Sequence, residues 1–241
     1  MSFIAEPLGR LLQLVYGVVG NYGVAIIVFT ILVKLVMIPL TIKQTKSMKN
    51  MQEIQPKLKQ IQNKYKNDKE TMNEKVMELY KEHNVNPFGG CLPLLIQFPI
   101  IIGLFTVLRQ PENYGLAREI VEQGFLWIEN LSAQPNDYIT FSLENFELSM
   151  LKHMILPLLA GVTTYISTKT MSAGQSAAGG QQQSMQKMML YFFPVMIIFW
   201  GFGFPAGLTL YWVVSNLFQT GQQLVINRPA SLLPHRGSEA K

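Results

Sequence analysis

The sequence predicts an all-α polytopic membrane protein. It should have five transmembrane helices, an N-terminal interfacial helix and a coiled-coil hairpin that projects from the membrane. Three observations carry this. Of 241 residues, 49% are hydrophobic and only 15% charged, too apolar for an ordinary soluble domain. The apolar residues come in blocks rather than in alternation. One block, GVAIIVFTILVKLVMIPLT from Gly23 to Thr41, has about the length of roughly 20 residues that a bilayer-crossing helix needs.

That first block contains Lys34, with Thr30 one helical turn earlier. A lysine at bilayer depth costs about 2.5–3.5 kcal/mol on insertion scales. A carboxylate partner, a wet cavity or snorkelling to the interface could each offset the cost. Snorkelling is the simpler reading, because the basic end of the span begins at Lys43, about two turns away.

In chain order, residues 1–22 form the interfacial helix. Leu8, Leu11, Leu12, Val15 and Val18 fall at helical spacing, and Glu6-Pro7 suits a first turn. The start MSFIAEPLGR has no basic region followed by an apolar core and cleavage site, so either the first span targets the protein itself or, the favoured expectation, the chain begins after a removed leader. Residues 23–42 are transmembrane helix one. Residues 43–86 form the hairpin, in which Met48, Met51, Ile54, Leu58, Ile61 and Tyr65 repeat at spacings of three and four. Pro56 should kink or restart its first arm. Thr71 with Glu74 reads as a capping box for the second arm.

Residues 87–109 are transmembrane helix two, with Pro93 and Pro99 bending it and Gln97 as its mid-membrane polar residue. An acidic loop, 110–149, follows; its Phe125-Leu126-Trp127 should dip into the interface. Helix three covers 150–169, with Thr163, Thr164, Ser167 and Thr168 near one end. Residues 170–184 are a Gly, Ala, Ser and Gln linker. Helices four and five cover 185–204 and 207–226, and 227–241 is a short polar tail. The hairpin holds ten lysines against one arginine, Arg118, in the acidic loop. By the positive-inside rule the hairpin, linker and tail are cytoplasmic and the N-terminus is outside.

The fifth span bears on Lys34. Thr209, Trp212, Asn216, Gln219 and Gln223 recur at spacings of three and four, which puts them on one helix face. Interhelical hydrogen bonding explains one or two such residues. A continuous stripe, with Lys34, Thr30 and Gln97, suits a water-filled cavity better. A transporter or channel would also place polar groups in its core, but no internal repeat of the transporter kind is seen. No Asp or Glu lies within the five spans to favour cations. The one cysteine, Cys91, excludes an internal disulfide, and His83, His153 and His235 lack metal-site spacing. No nucleotide motif or catalytic dyad is present: GFGFPAG is a connecting turn and GQSAAGG a linker. The reading is therefore not an enzyme, without cofactor or metal.

Three stretches, TILVKLVMIPLTIKQTKSM, NPFGGCLPLLIQFPI and FPAGLTLYWVVSN, resemble the YidC-type membrane-protein insertases, the bacterial branch of the group that includes the Oxa and Alb proteins. The likeness covers nearly all of the chain after residue 20. The short N-terminal region resembles that of the Gram-positive members, whose leader is of the lipoprotein kind. The resemblance implies five transmembrane helices around a hydrophilic groove, open to cytoplasm and lipid, in a bacterial cell membrane. It implies that a basic residue of the first span attracts acidic residues of an incoming chain. The family usually has arginine there, whereas Lys34 holds the position here, so the groove must stay wet enough to keep a lysine charged. The groove-lining set is then Lys34, Thr30, Gln97, Thr164, Trp212, Asn216 and Gln219. The hairpin, through Met48, Met51, Lys57, Lys59, Lys64 and Lys66, is the expected recruiting surface. Expected partners are nascent or newly made membrane proteins and anionic membrane lipids, with the Sec translocon a further candidate. Ribosome-binding members carry a long basic tail, which 227–241 does not match. No nucleic-acid specificity is expected.

Overall fold

The computed structural model describes residues 2–85, 92–138, 151–172 and 187–226. Expectations for the linker beyond residue 172, the tail from Asn227, the end of the acidic loop and the side chain of Pro93 lie outside the described residues. Helices dominate, and among the described residues the only β-type pairing is an isolated bridge between Phe125 and Ile128.

Helix α1 spans Ser2–Val19. It starts ahead of the expected first turn, so Pro7 lies inside it. Ala5, Leu12 and Val15 enter the core, with Leu8 and Leu11 packed against it. Val18, expected on the apolar face, is 89% exposed, as is most of Phe3 and Leu14. Gly20, at φ +72°, turns the chain into α2, Tyr22–Lys64. Asn21 caps α2, its side-chain oxygen accepting from the Val24 amide at 3.0 Å.

Helix α2 joins what hydropathy separates. Its 43 residues run from the apolar span into the hairpin without a break, and the helix continues through Pro39 and Pro56. The expected restart at Pro56 does not occur. Helix α3, Lys69–Glu82, returns alongside α2. Its cap is Asp68, not the Thr71–Glu74 box: the Asp68 carboxylate accepts from both the Thr71 amide and the Thr71 hydroxyl. Those bonds hold the Asp68 carboxyl below the usual carboxylate range. Met51, Ile54 and Leu58 of α2 close on Leu79 and Val85 in a small core of their own.

The main bundle comprises α1, α2, α4 (Leu92–Arg109), α6 (Leu151–Ser172), α7 (Phe193–Gly203) and α8 (Ala206–Ile226). A one-turn helix α5, Arg118–Val121, lies in the loop between α4 and α6. A π-helical turn, Met188–Phe192, leads into α7. Helix α8 lies between α2 on one side and α6 on the other, while α1 packs along α4 and α7 along α6.

The described part of the loop after α4, residues 110–138, packs over one end of the bundle. Phe125 turns inward rather than toward an interface; its ring lies where a Cβ on Gly23 would stand, so only glycine lets α2 pass. Leu126, at φ +55° and 74% exposed, and Trp127 point outward. The carbonyls of Ala133 and Leu131 accept from the Ala206 and Gly207 amides at 2.9 and 2.7 Å. They satisfy the first donors of α8, which a helix start leaves unpaired.

Polarity is inverted relative to a soluble fold. Val36, Val195, Phe199, Leu217 and Val225 are each more than half exposed. Thr30, Lys34, Thr45, Thr163, Thr164 and Ser167 are buried. Among the described residues, α2 alone is both long enough and apolar enough to cross a membrane. Helices α6 and α8 have the length, at 22 and 21 residues, but carry hydroxyl and amide side chains along the faces they turn to each other.

Candidate functional site

The polar side chains form three groups along α8. In the first, α2 brings Lys34, α4 brings Gln97 and α8 brings Tyr211. The Lys34 ammonium donates to Gln97 Oε1 at 3.3 Å, and Gln97 Nε2 donates to the Tyr211 hydroxyl at 2.7 Å. Lys34 is 6% exposed and Tyr211 fully buried. Among the described residues Gln97 is the only acceptor for Lys34, and no carboxylate lies within ion-pair distance. A buried ammonium with a neutral partner is an uncompensated charge, which proteins seldom keep without use for it.

In the second group, α6 meets α8. Thr164 donates to the Ala160 carbonyl at 2.6 Å and accepts from Trp212 Nε1 at 2.9 Å. The Asn216 amide lies 2.9 Å from the same hydroxyl whichever way it is turned; with its oxygen inward it also accepts from Trp212 Nε1 at 3.1 Å. Thr164, Trp212 and Asn216 are thus brought together as one cluster.

The third group lies where α2 leaves the main bundle. Thr41 accepts from Gln222 Nε2 at 2.5 Å, and Thr45 donates to Gln223 Oε1 at 3.3 Å. Gln44, Thr45 and Gln223 are all buried.

Two residues expected in the groove are placed apart. Thr30 is fully buried and its hydroxyl donates to the Ile26 carbonyl of its own helix at 2.6 Å. Gln219 donates to Met171 Sδ at 2.7 Å on the end of α6. In the hairpin, Met48 and Met51 are buried, 9% and 7% exposed, so they do not form an open apolar edge. Lys57, Lys59, Lys64 and Lys66 are exposed. Lys57 Nζ lies 3.0 Å from His83 Nε2, and Lys64 stands over the Tyr65 ring.

Sequence reasoning missed Tyr211, which sits in an apolar run, and the Thr41–Thr45 joint. The signal for the joint was available: Gln222 and Gln223 sit at the end of α8, and Thr41 and Thr45 are one turn apart.

An apolar exterior over buried hydroxyls, amides and an ammonium defines a helical membrane protein whose interior is the polar side. The chain belongs to the 60Kd inner membrane protein family, whose model matches residues 14–232; this is the family of the YidC membrane protein insertases. It is 39% identical over 225 residues to the membrane protein insertase YidC of Citrifermentans bemidjiense, covering 93% of this chain and 37% of that one. The protein of the same name from Fusobacterium nucleatum subsp. nucleatum is 39% identical over 230 residues, 94% of this chain and 98% of that one. That from Caldanaerobacter subterraneus subsp. tengcongensis is 38% identical over 236 residues, again 98% of its length. The chain therefore spans little more than a third of some curated relatives and nearly all of others. A crystal structure described as an active YidC insertase with the first transmembrane domain resolved superposes with a TM-score of 0.65. It is 28% identical, and the match covers 95% of this chain and 46% of that one. The family resemblance read from the residues is confirmed, and the family is one of the bacterial cell membrane.

Proposed function

We propose that this protein is a membrane-protein insertase and chaperone. It takes newly made chains from the cytoplasm into a hydrated intramembrane groove, where Lys34 attracts acidic residues, and releases transmembrane segments sideways into lipid without nucleotide hydrolysis. The carrying observation is the buried Lys34 ammonium, whose only described acceptor is the neutral Gln97. Among the described residues two of its three N–H groups are left for a guest. A carboxylate at contact distance gains about 4 kcal/mol at an effective dielectric near 20. That is comparable to the cost of holding the lysine at depth.

The topology that goes with this reading has five spans, the N-terminus outside, and the hairpin and tail in the cytoplasm. The exposed lysines of the hairpin meet anionic lipid headgroups and the incoming chain first. The buried methionines shift that recruiting role onto the lysines. The polar side chains between α6 and α8 let polar substrate residues pass part of the bilayer without full desolvation, and burial of the apolar segment in lipid drives release. The Sec translocon is a candidate neighbour in that step.

The test is insertion of a single-span substrate with an acidic N-terminal tail, comparing wild type with Lys34→Ala and Lys34→Glu. Loss in both, with Lys34→Glu restored by a basic tail, supports Lys34 as an electrostatic receptor. Undiminished insertion by properly folded variants sinks the reading and leaves Lys34 as a structural residue.

A further inference from the structure

The amide of Gln97 has one donor end and one acceptor end, and both are engaged. Its oxygen faces Lys34 and its nitrogen faces the Tyr211 hydroxyl, the shorter of the two contacts. We propose that Tyr211 is a positioning residue for Lys34. By accepting from Gln97 Nε2 it anchors the amide, so that the oxygen the ammonium selects stays within reach of Lys34.

The surroundings suit that task. Tyr211 is fully buried, and its ring lies 6.4 Å from that of Phe29, which is also fully buried. The phenol is held by packing from α2 and is not free to follow the amide. A turned amide presents donor to donor at Lys34, so the charge sets which end of the amide faces it and the phenol sets where that end stands. The arrangement fixes where the ammonium points, because a charged donor takes the best acceptor within reach. The adjacent Trp212 faces the other way, toward Thr164 of α6. Two neighbouring aromatic residues thus serve two separate polar groups, and of the two only Tyr211 is linked to the charge, through Gln97.

This inference rests on the reading of Lys34 as a receptor, and the experiment separates the two. Two substrates identical except for an acidic or a neutral N-terminal tail are inserted by Tyr211→Phe, Gln97→Leu, Lys34→Ala and the Tyr211→Phe/Lys34→Ala pair. The readout is the ratio of acidic-tail to neutral-tail insertion. Tyr211→Phe keeps the ring and removes only the hydroxyl. It should lower the ratio about threefold to tenfold, the size of effect that one hydrogen bond commands. Gln97→Leu, which breaks the chain at its middle, should lower it similarly. In the Lys34→Ala background Tyr211→Phe should lower it no further. If both tails fall together, or the ratio drops again without Lys34, Tyr211 is a packing residue and the proposal is overturned. If Lys34→Ala itself leaves the ratio untouched, the receptor reading fails and takes this inference with it.

Discussion

Trp212 has two acceptors within reach and one N–H to give, which leads to a prediction about coupling. Its indole nitrogen lies 2.9 Å from Thr164 Oγ1 and 3.1 Å from the Asn216 oxygen when that amide is turned inward. Thr164→Val removes the first acceptor but leaves the second. Asn216→Leu removes the second but leaves the first. Each single variant should therefore cost only the average worth of a hydrogen bond in a membrane bundle, about 0.6 kcal/mol, with an upper limit near 1.7. The pair removes both acceptors and leaves the indole N–H unpaired between α6 and α8. An unsatisfied buried donor costs about 1–3 kcal/mol. The direct Asn216–Thr164 contact, lost in either single, offsets about 0.6 kcal/mol of the excess, so the pair should exceed the sum of the singles by about 0.4–2.4 kcal/mol. The assay is reversible unfolding in mixed micelles by a denaturing detergent, with helicity followed by circular dichroism and analysed as a double-mutant cycle. A coupling within about 0.3 kcal/mol of zero refutes the shared-acceptor argument, as does a single Thr164→Val cost above about 3 kcal/mol.

Two further predictions concern the hairpin. Leu58 is fully buried in a core separate from that of the main bundle, so Leu58→Ala should destabilise the hairpin by about 2–5 kcal/mol; amide exchange in α3 should quicken while α6 and α8 keep their protection. The Asp68 carboxyl is held below its usual range by the Thr71 bonds. Its capping contribution is therefore fully present above the ordinary carboxylate value of about 3.9 and disappears as pH falls through the depressed one. Asp68→Asn keeps an acceptor without a titrating group, so protection at the start of α3 should lose its acid sensitivity; an unchanged pH dependence in that variant counts against the cap.

Side-chain chemistry in apolar runs was the most legible part of the chain. A lysine in a 19-residue apolar block and a polar stripe in another announce themselves against their background, and Lys34, Gln97, Thr164, Trp212 and Asn216 do fall into contact groups. Tyr211 does not announce itself, because a tyrosine among Leu, Trp and Val reads as core until its hydroxyl is seen against Gln97. Thr30 misleads in the opposite sense: a hydroxyl in an apolar helix can be satisfied by the carbonyl four residues back. Helix boundaries were less legible. Hydropathy changes near Lys43, but the α-helix is a backbone ladder indifferent to which solvent surrounds it, so α2 continues. The methionine repeat was seen as a seam, yet a seam facing α3 is consumed by its own hairpin.

The unbroken course of α2 gives it leverage. At 1.5 Å per residue, its polar joint with α8 at Thr41 stands about 10 Å from Lys34 and about 35 Å from the hairpin end at Lys64. A tilt of about 10° around that fulcrum displaces the far end by about 6 Å and Lys34 by about 2 Å in the opposite sense, on the same rise per residue. Two ångströms is enough to part Lys34 from Gln97, so a load on the hairpin arm would act on that contact to the extent that α2, with Pro39 and Pro56 inside it, moves as one body.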